Sequence, residues 1–217
     1  MSVPETPKDG GEASRSASNT STLAGYEGCA DEYAETTAPK PEADDQPALV
    51  ELLKALEPGS RLLEIGSGPG WDADWLEERG LVIRRTDGAD SFVQFQVSRG
   101  RQAERLDVIG DPLGGPYDGV VALHVLQHVE REILPSVLSR IAAAIRDGGV
   151  FLLALREGEG ESADIGSKGN EYYVALWPRA EIIAVLAALD LGPLWSNSFE
   201  GREGRWLTAL FRKGLPA

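Results

Sequence analysis

Residues 62–70 read LLEIGSGPG, an apolar run that passes directly into a glycine-rich turn. The apolar part predicts a short strand over Arg61–Ile65, and the next segment, Trp71–Arg79, has the spacing of a helix that ends before Gly80. A strand, a glycine turn and a helix in this order form the first part of a βαβ unit. The glycines would let the backbone approach a ligand closely.

The same alternation continues along the chain. Further strands are predicted at Leu81–Thr86, Glu104–Leu106, Gly119–Leu123, Val150–Leu155 and Arg205–Arg212. Further helices are predicted at Pro47–Leu56, Ser91–Arg99, Arg131–Arg146 and Arg179–Leu189. The third and fourth of these strands are almost entirely apolar, which is typical of parallel strands that are buried on both faces. Right-handed crossovers then place helices on both sides of the sheet, so the predicted fold class is α/β, doubly wound.

The chain has 217 residues, which favours one domain with a tail. Residues 1–21 are rich in Ser, Gly, Pro and acidic residues, and we predict a disordered tail there and a domain over residues 22–217. The helical pattern from Leu23 to Thr37 predicts an N-terminal lid. No apolar run approaches the roughly 18 residues of a membrane span, and the N-terminus has no signal-like apolar segment, so we expect a soluble, cytoplasmic protein.

The charge balance bears on possible partners. The sequence has 21 basic and 35 acidic residues, a net charge of −14, which disfavours binding to nucleic acid. Its single cysteine, Cys29, excludes an intramolecular disulfide and a cysteine-rich zinc site. No metal site is predicted, although the acidic residues Glu157, Glu159 and Glu161 leave open the binding of a metal or a cationic substrate.

Two carboxylates follow predicted strands at the edge where a ligand would lie. Asp87 ends the second strand, where a carboxylate can accept hydrogen bonds from both hydroxyls of a ribose. Asp107 follows the third strand, with Asp111 close by. The alternative is that Glu64 and Asp87 are merely exposed acids at strand ends, and the nearby Asp111 leaves the assignment of Asp107 open as well.

Taken together, these motifs resemble those of class I S-adenosylmethionine (SAM)-dependent methyltransferases. The resemblance covers about residues 25–213 and rests on LLEIGSGPG, Asp87, Leu106-Asp107-Val108 and YDGVVALHVLQHV at 117–129. Three stretches are particularly similar to those of bacterial small-molecule methyltransferases: YDGVVALHVLQHV, the RDGG turn at 146–149 and LLALREGEGES at 152–162. The resemblance implies a mostly parallel seven-stranded sheet with helices on both faces, preceded by a helical lid.

The resemblance also implies a cofactor site, whose residues would be Tyr26, Glu64, Gly66, Ser67, Gly68, Gly70, Asp87, Gly88, Asp107, Val108, Leu123 and His124. The glycine turn would wrap the methionine part of SAM, and Glu64 would hold the turn, its ordered water or the amino group of the ligand. Asp87 would bind the ribose, and Asp107 with Val108 would lie beside the adenine. Tyr26 would cover the methyl group from the lid.

A methyl group on a sulfonium is already reactive, so such an enzyme mainly aligns the acceptor and excludes water. A hydroxyl or protonated amine acceptor must also lose a proton, and a nearby base helps. The chain has only two histidines, His124 and His128, and we predict His128 as the base. The alternatives are a histidine that only bonds near the start of the next helix, and methyl transfer by proximity alone.

The predicted function is methyl transfer from SAM to an oxygen, nitrogen or carbon of a small molecule in bacterial specialised metabolism, with release of S-adenosylhomocysteine (SAH). One alternative is a SAM-binding protein without catalysis. Another is a nicotinamide-dependent oxidoreductase, which also has a glycine turn and an acid about 20 residues downstream. The G-x-G-x-G spacing disfavours the oxidoreductase. The segment from Glu157 to Gly169, with Tyr172, Tyr173 and Trp177, is either a wall of the acceptor pocket or a solvated loop beside core aromatics.

Overall fold

The computed structural model describes residues 17–37, 46–166, 169–201 and 203–214. Its helices are α1 (Ala17–Glu27), α2 (Ala30–Thr36), α3 (Gln46–Lys54), α4 (Trp71–Glu77), α5 (Asp90–Ser98), α6 (Leu134–Ala144) and α7 (Arg179–Ala187). Its strands are β1 (Arg61–Ile65), β2 (Val82–Asp87), β3 (Ala103–Arg105), β4 (Tyr117–Ala122), β5 (Ile145–Arg156), β6 (Glu161–Ile165), β7 (Glu171–Ala175), β8 (Leu191–Gly201) and β9 (Gly204–Lys213).

Seven strands form one sheet in the order β3-β2-β1-β4-β5-β9-β8. The first five strands of the chain pair in parallel, whereas β9 is antiparallel to both β5 and β8. The predicted doubly wound, mostly parallel, seven-stranded α/β sheet is therefore confirmed. The strand order reverses between β1 and β4, and ligands of such sheets bind beyond the carboxyl ends of the strands at this point.

The two faces of the sheet are covered separately, and alternate residues of each strand go to opposite faces. On one face, Leu63 of β1 and Phe151 of β5 belong to the core cluster that includes Leu138 and Ile141 of α6. On the other face, the neighbouring β1 residue, Leu62, belongs to a cluster with residues of α3 and α4. Each of these large side chains is fully buried, and burying one stabilises the fold by roughly 1.5–3 kcal/mol. This packing holds the carboxyl ends of β1 and β4 in place.

Two features of the sheet region were not predicted. The expected loop between Glu157 and Gly169 contains β6, which pairs with β7 as a separate two-stranded sheet. The edge strand β8 was also missed, because Pro193 interrupts its pattern and the pairing with β9 shifts register between Pro193 and Trp195. Hairpin pairing of exposed polar residues such as those of β6 leaves little hydrophobic pattern in a sequence.

The ends of several elements also differ from prediction. Helix α6 begins at Leu134 and ends at Ala144, so the predicted helical residues 131–133, 145 and 146 lie outside it. Ile145 instead starts β5, where its side chain is buried and it pairs with Tyr117. Burial against the sheet therefore takes precedence over the continuation of the helical pattern.

At the N-terminus, α1 begins at Ala17, before the predicted end of the tail at residue 21. Thr22 is buried, and its hydroxyl oxygen accepts a hydrogen bond from the backbone N–H of Tyr173 in β7 at 3.1 Å. This contact across the chain orders polar residues whose composition alone suggests disorder. The rest of the predicted tail, residues 1–16, lies outside the described residues. None of the described helices is both long and apolar enough to cross a membrane.

Candidate active site

A cleft lies at the carboxyl edge of the sheet, beside the point where strand order reverses, and its space of about 1200 Å³ is partly open to solvent. Two of the predicted site residues, Glu64 and Gly70, do not line it. The others do: Tyr26, Gly66, Ser67, Gly68, Asp87, Gly88, Asp107, Val108, Leu123, His124 and His128. The fold therefore gathers residues from four strand ends and from α1 around one space.

The three glycines of the turn have different structural roles, although all have a positive φ (69° at Gly66, 52° at Gly68 and 83° at Gly70). A Cβ at Gly68 would meet nothing within 4 Å. A Cβ at Gly66 would lie 2.6 Å from Val125 Cγ2, and one at Gly70 would lie 2.5 Å from Gln96 Oε1. Gly70 is thus required for close packing outside the cleft, while Gly68 leaves open space beside the turn.

Asp87 connects the end of β2 to the glycine turn. Its Oδ2 accepts a hydrogen bond from Gly68 N at 2.9 Å, and its Oδ1 accepts one from Ala89 N, also at 2.9 Å. Burial raises the pKa of Asp87 to about 6, against the effect of these backbone hydrogen bonds, which lower it. Each carboxylate oxygen has two lone pairs, so both oxygens can still accept a hydrogen bond from a ligand hydroxyl.

Glu64 lies near the end of β1, two residues before the glycine turn begins. It is buried, and its Oε2 has no hydrogen-bond partner among the described residues. Burial, together with the nearby carboxylate of Asp72, raises its pKa to about 8, whereas Ser67 and Arg85 act in the opposite direction. The Glu64 side chain is therefore mainly neutral at pH 7, and it does not line the cleft.

His128 ends a 3-10 turn, Leu126–His128, that follows β4. Its Nδ1 lies 2.7 Å from the backbone oxygen of Tyr173. A carbonyl oxygen only accepts hydrogen bonds, so Nδ1 carries the hydrogen, and in the neutral ring Nε2 has the free lone pair. The hydroxyl of Tyr26 lies 3.1 Å from Nε2 and donates to it. Burial of the ring lowers the pKa of His128 below its ordinary value.

His124, the other histidine, differs from His128 in its environment. Its φ is 58°, which is unusual for a residue other than glycine and costs roughly 1 kcal/mol or more. Its ring packs edge-on against Trp206, with 4.5 Å between the centroids. His124 thus turns the chain at the end of β4 and borders the cleft.

Helix α1 crosses the cleft and is held on both sides. On one side, the carboxylate of Glu27 accepts hydrogen bonds from Asp90 N (2.8 Å) and Ser91 N (2.9 Å) at the start of α5. On the other side, Thr22 binds β7. Leu23 lies over Gly88, where a Cβ would come within 2.7 Å of Leu23 Cδ2. The helical pattern predicted from Leu23 to Thr37 is therefore present as two helices, α1 and α2, of which α1 covers the end of β2.

Sequence reasoning did not assign several residues that line the cleft: Asn19, Thr22, Leu23, Tyr33, Trp71, Asp72, Phe92, Val125 and Val129. The centroid of the Phe92 ring lies 6.0 Å from the ring centroid of Tyr26 and 5.6 Å from that of Tyr33. Phe92 is in the first turn of the helix after β2, close in sequence to Asp87, and this position is a signal that could have identified it. The carbonyl of Tyr173 gives no such signal, because any residue has one.

The family model described as a methyltransferase domain matches residues 42–190. The chain belongs to this methyltransferase family. A polyketide synthase of Burkholderia thailandensis, ThaQ, is 29% identical over an alignment of 162 positions that covers 66% of this chain. The methyltransferase spans only 8% of the length of that relative.

Solved structures show the same fold over nearly the whole methyltransferase. One is 1,6-didemethyltoxoflavin-N1-methyltransferase of Burkholderia thailandensis with 1,6-didemethyltoxoflavin and SAH bound (TM-score 0.70, 20% identity, 93% of this chain and 92% of that one). Another is DhpI in complex with SAM and HEP (TM-score 0.69, 22% identity, 92% and 100%). A third is CcbJ of Streptomyces caelestis (TM-score 0.69, 14% identity, 90% and 99%). The predicted family and fold are thereby confirmed.

The charged side chains that line the methyltransferase's cleft are the carboxylates Asp72, Asp87 and Asp107; within the described part of the chain, no Lys or Arg lines it. The described residues also contain no cluster of three or more His, Cys, Asp or Glu side chains that could hold a metal ion. Glu157, in the acidic segment after β5, instead accepts a hydrogen bond from Ser198 and pairs with Arg205.

Proposed function

We propose that this methyltransferase transfers the methyl group of SAM to an oxygen or nitrogen atom of a small, uncharged or cationic acceptor, with His128 as the base. The observation that supports this most strongly is the cleft under α1, where the glycine turn, Asp87 and His128 line one space. The polyketide synthase relative supports a place in specialised metabolism. The cytoplasmic location expected from the sequence stays a prediction.

The residues present fit SAM. The open side of Gly68 leaves room beside the turn, and the carboxylate of Asp87 retains lone pairs for two ribose hydroxyls. We propose that Gly66, Ser67 and Gly68 contact the methionine part, that Asp87 and Gly88 contact the ribose, and that Asp107 and Val108 contact the adenine. Leu123, His124 and Tyr26 complete the proposed contacts. We assign Glu64 and Gly70 to the support of the turn.

The charge of the cleft limits the acceptor. A carboxylate or phosphate on the acceptor would meet the carboxylates Asp72, Asp87 and Asp107, and no Lys or Arg of the described residues lines the cleft. An anion left without a partner in a partly buried site is costly. The aromatic rings of Tyr26, Tyr33 and Phe92 offer an apolar surface instead. These features favour a neutral or cationic acceptor with an apolar, planar part.

When bound, SAM supplies a methyl group on a sulfonium, which needs no further activation. The protein's own contribution is to align the acceptor, to exclude water with α1 and to remove a proton. The lone pair of His128 Nε2 receives the proton of the acceptor's hydroxyl or amine, and the Nδ1–H bond to Tyr173 stabilises the resulting imidazolium. Tyr26 donates to Nε2 in the structure, so the acceptor either displaces this hydroxyl or passes its proton through it.

The tautomer of His128 gives a prediction that needs no acceptor. We expect long-range nitrogen NMR spectra to show the Nδ1–H tautomer for His128 and a neutral ring at pH 6.5, because burial lowers its pKa. The chain has only two histidines, so the spectrum of His128→Gln assigns the signals. An Nε2–H tautomer, or a ring that is mostly protonated at pH 6.5, would contradict the proposed base.

The acceptor class is tested by measuring the transfer of a labelled methyl group from SAM to pairs of compounds. Each pair consists of a neutral phenol or amine and its analogue with an added carboxylate. We expect each neutral member to be methylated at least about tenfold faster than its anionic partner, a difference of about 1.4 kcal/mol in transition-state binding. We also expect His128→Gln to lower this rate by about 100-fold or more. Equal rates within the pairs would contradict the proposed acceptor class, and full activity of the variant would contradict the base. SAH binding without turnover of any acceptor would favour the non-catalytic alternative.

A further inference from the structure

The outer side of the glycine turn is held by side chains that do not line the cleft. The backbone carbonyls of three consecutive residues, 68–70, each accept a hydrogen bond from a residue of β2, α5 or its C-cap. The three bonds are Gln96 Nε2 to Gly68 O (2.9 Å), Arg99 Nη1 to Pro69 O (2.8 Å) and Arg85 Nη1 to Gly70 O (3.4 Å). We call Gln96, Arg99 and Arg85 the outer clamp.

We propose that the outer clamp positions the glycine turn for the cofactor and thereby sets the affinity of the methyltransferase for SAM and SAH. This inference rests on the function proposed above. The turn, GSGPG at residues 66–70, has almost no side chains with which to pack, and glycine has the greatest backbone freedom in the unbound chain. Bonds that hold its carbonyls from outside reduce the freedom that remains to be lost on binding, which is the general effect of preorganisation.

The clamp is itself rigid. Gln96 is completely buried, and its Oε1 accepts a hydrogen bond from Arg85 Nη1 at 3.3 Å. The guanidinium of Arg85 is 2% exposed and is paired with Asp74 (2.7 Å) and Glu77 (2.6 Å) of α4. Charges that are both buried and paired keep a fixed geometry, because the loss of either partner leaves an uncompensated charge. The turn is thus fastened to a network that joins β2, α4 and α5.

The packing at Gly70 fits this role. A Cβ at residue 70 would lie 2.5 Å from Gln96 Oε1 and 2.9 Å from Arg85 Nη1, so only glycine lets the turn reach the clamp. This explains why Gly70 belongs to the motif although it does not line the cleft. Arg99 also stacks on Trp71, at 4.0 Å from the ring centroid, and Trp71 does line the cleft.

The variant Gln96→Glu tests the hydrogen bond to the turn while it preserves most of the packing that stabilises the fold. A glutamate keeps the size of the side chain and the oxygen that faces Arg85, but it removes the N–H that donates to Gly68 O. At pH 8 the new side chain is ionised, because the guanidinium of Arg85 lies beside it. Its carboxylate then faces the carbonyl oxygen of Gly68, and two hydrogen-bond acceptors repel each other. We expect the dissociation constant for SAH to rise by about tenfold, the effect of losing one buried hydrogen bond and opposing two acceptors.

Arg99→Gln and Arg101→Gln form a matched pair. Arg101 forms ion pairs with the same Asp74 (2.9 Å) and Glu77 (3.9 Å) that pair with Arg85, and neither of these bonds reaches the turn. Arg99 also pairs with Asp74, so both variants remove one charge from the network. We expect Arg99→Gln to weaken SAH binding by about fivefold and Arg101→Gln by less than about twofold, at similar melting temperatures.

The experiment is calorimetric titration with SAH at pH 8 of the wild type and the three variants, with thermal unfolding and amide hydrogen exchange of residues 67, 68 and 70. Faster exchange at these amides and weaker binding in Gln96→Glu and Arg99→Gln, but not in Arg101→Gln, would support the clamp. If the wild type binds SAH and every folded variant binds it with the same affinity, the proposed role of the clamp is wrong and the proposed function stands. Absence of SAH binding to the wild type would overturn both. If Gln96→Glu does not fold, the arginine pair alone decides between these outcomes.

Discussion

Asp87→Ala is expected to weaken the binding of SAH by at least about 100-fold. The substitution removes the proposed ribose acceptor and also the partner of Gly68 N, so the glycine turn loses one of its hydrogen bonds to β2. Two charge-assisted hydrogen bonds contribute about 3 kcal/mol together, and this corresponds to about two orders of magnitude in the dissociation constant. Calorimetric titration of the purified protein with SAH measures the effect directly, and a parallel titration with NADH tests the oxidoreductase alternative.

Asp90→Ala is the matched control, because Asp90 lies three residues further along the chain and is exposed. We expect it to change SAH binding by less than about twofold. The pH dependence adds a second criterion. Burial raises the pKa of Asp87 to about 6, and the ionised form accepts hydrogen bonds from ribose, so SAH binding should weaken as the pH falls below 6. An Asp87→Ala variant that binds within about threefold of the wild type would remove the basis for the proposed ribose contact.

Glu64→Gln is expected to increase the free energy of unfolding by about 2 kcal/mol at pH 9 and to change it little at pH 4. The pKa of Glu64 is raised from 4.5 to about 8 by burial, so the folded state binds the proton more tightly than the unfolded state. The wild type therefore has the full stability from this group below about pH 4.5 and loses it as the pH rises through 8. The amide of glutamine is neutral at every pH and avoids the cost of a buried charge.

Urea unfolding at pH 4 and pH 9 measures this difference, with Glu57→Gln as an exposed control that should behave as the wild type. The relevant quantity is the difference between variant and wild type at each pH, because other groups also titrate over this range. If the variant and the wild type lose equal stability between the two pH values, the pKa of Glu64 is the same in the folded and unfolded states, and its assignment as a neutral support of the turn is wrong.

The order of strands and helices from α3 to β5 was readable from the chain because it depends on local patterns. The bounds of β1 agree with the prediction, since an apolar strand next to a glycine turn has clear signals at both ends. The positions of Asp87, Asp107 and His128 around one space also followed from the sequence. Parallel strands place their carboxyl ends at the same edge of a sheet, so residues that follow those strands come together whatever their distance along the chain.

Contacts between distant segments had no local signature. The pairing of β6 with β7 brings the carbonyl of Tyr173 to His128, 45 residues away, and this backbone atom sets the tautomer of the proposed base. The anchoring of α1 by Glu27 and Thr22 orders residues whose composition suggests disorder. The motif places Glu64 and Gly70 beside residues that line the cleft, yet in the folded protein neither of them lines it. A motif specifies residue type and spacing, whereas the burial and hydrogen-bond partners of each side chain depend on elements that fold against it from elsewhere in the sequence.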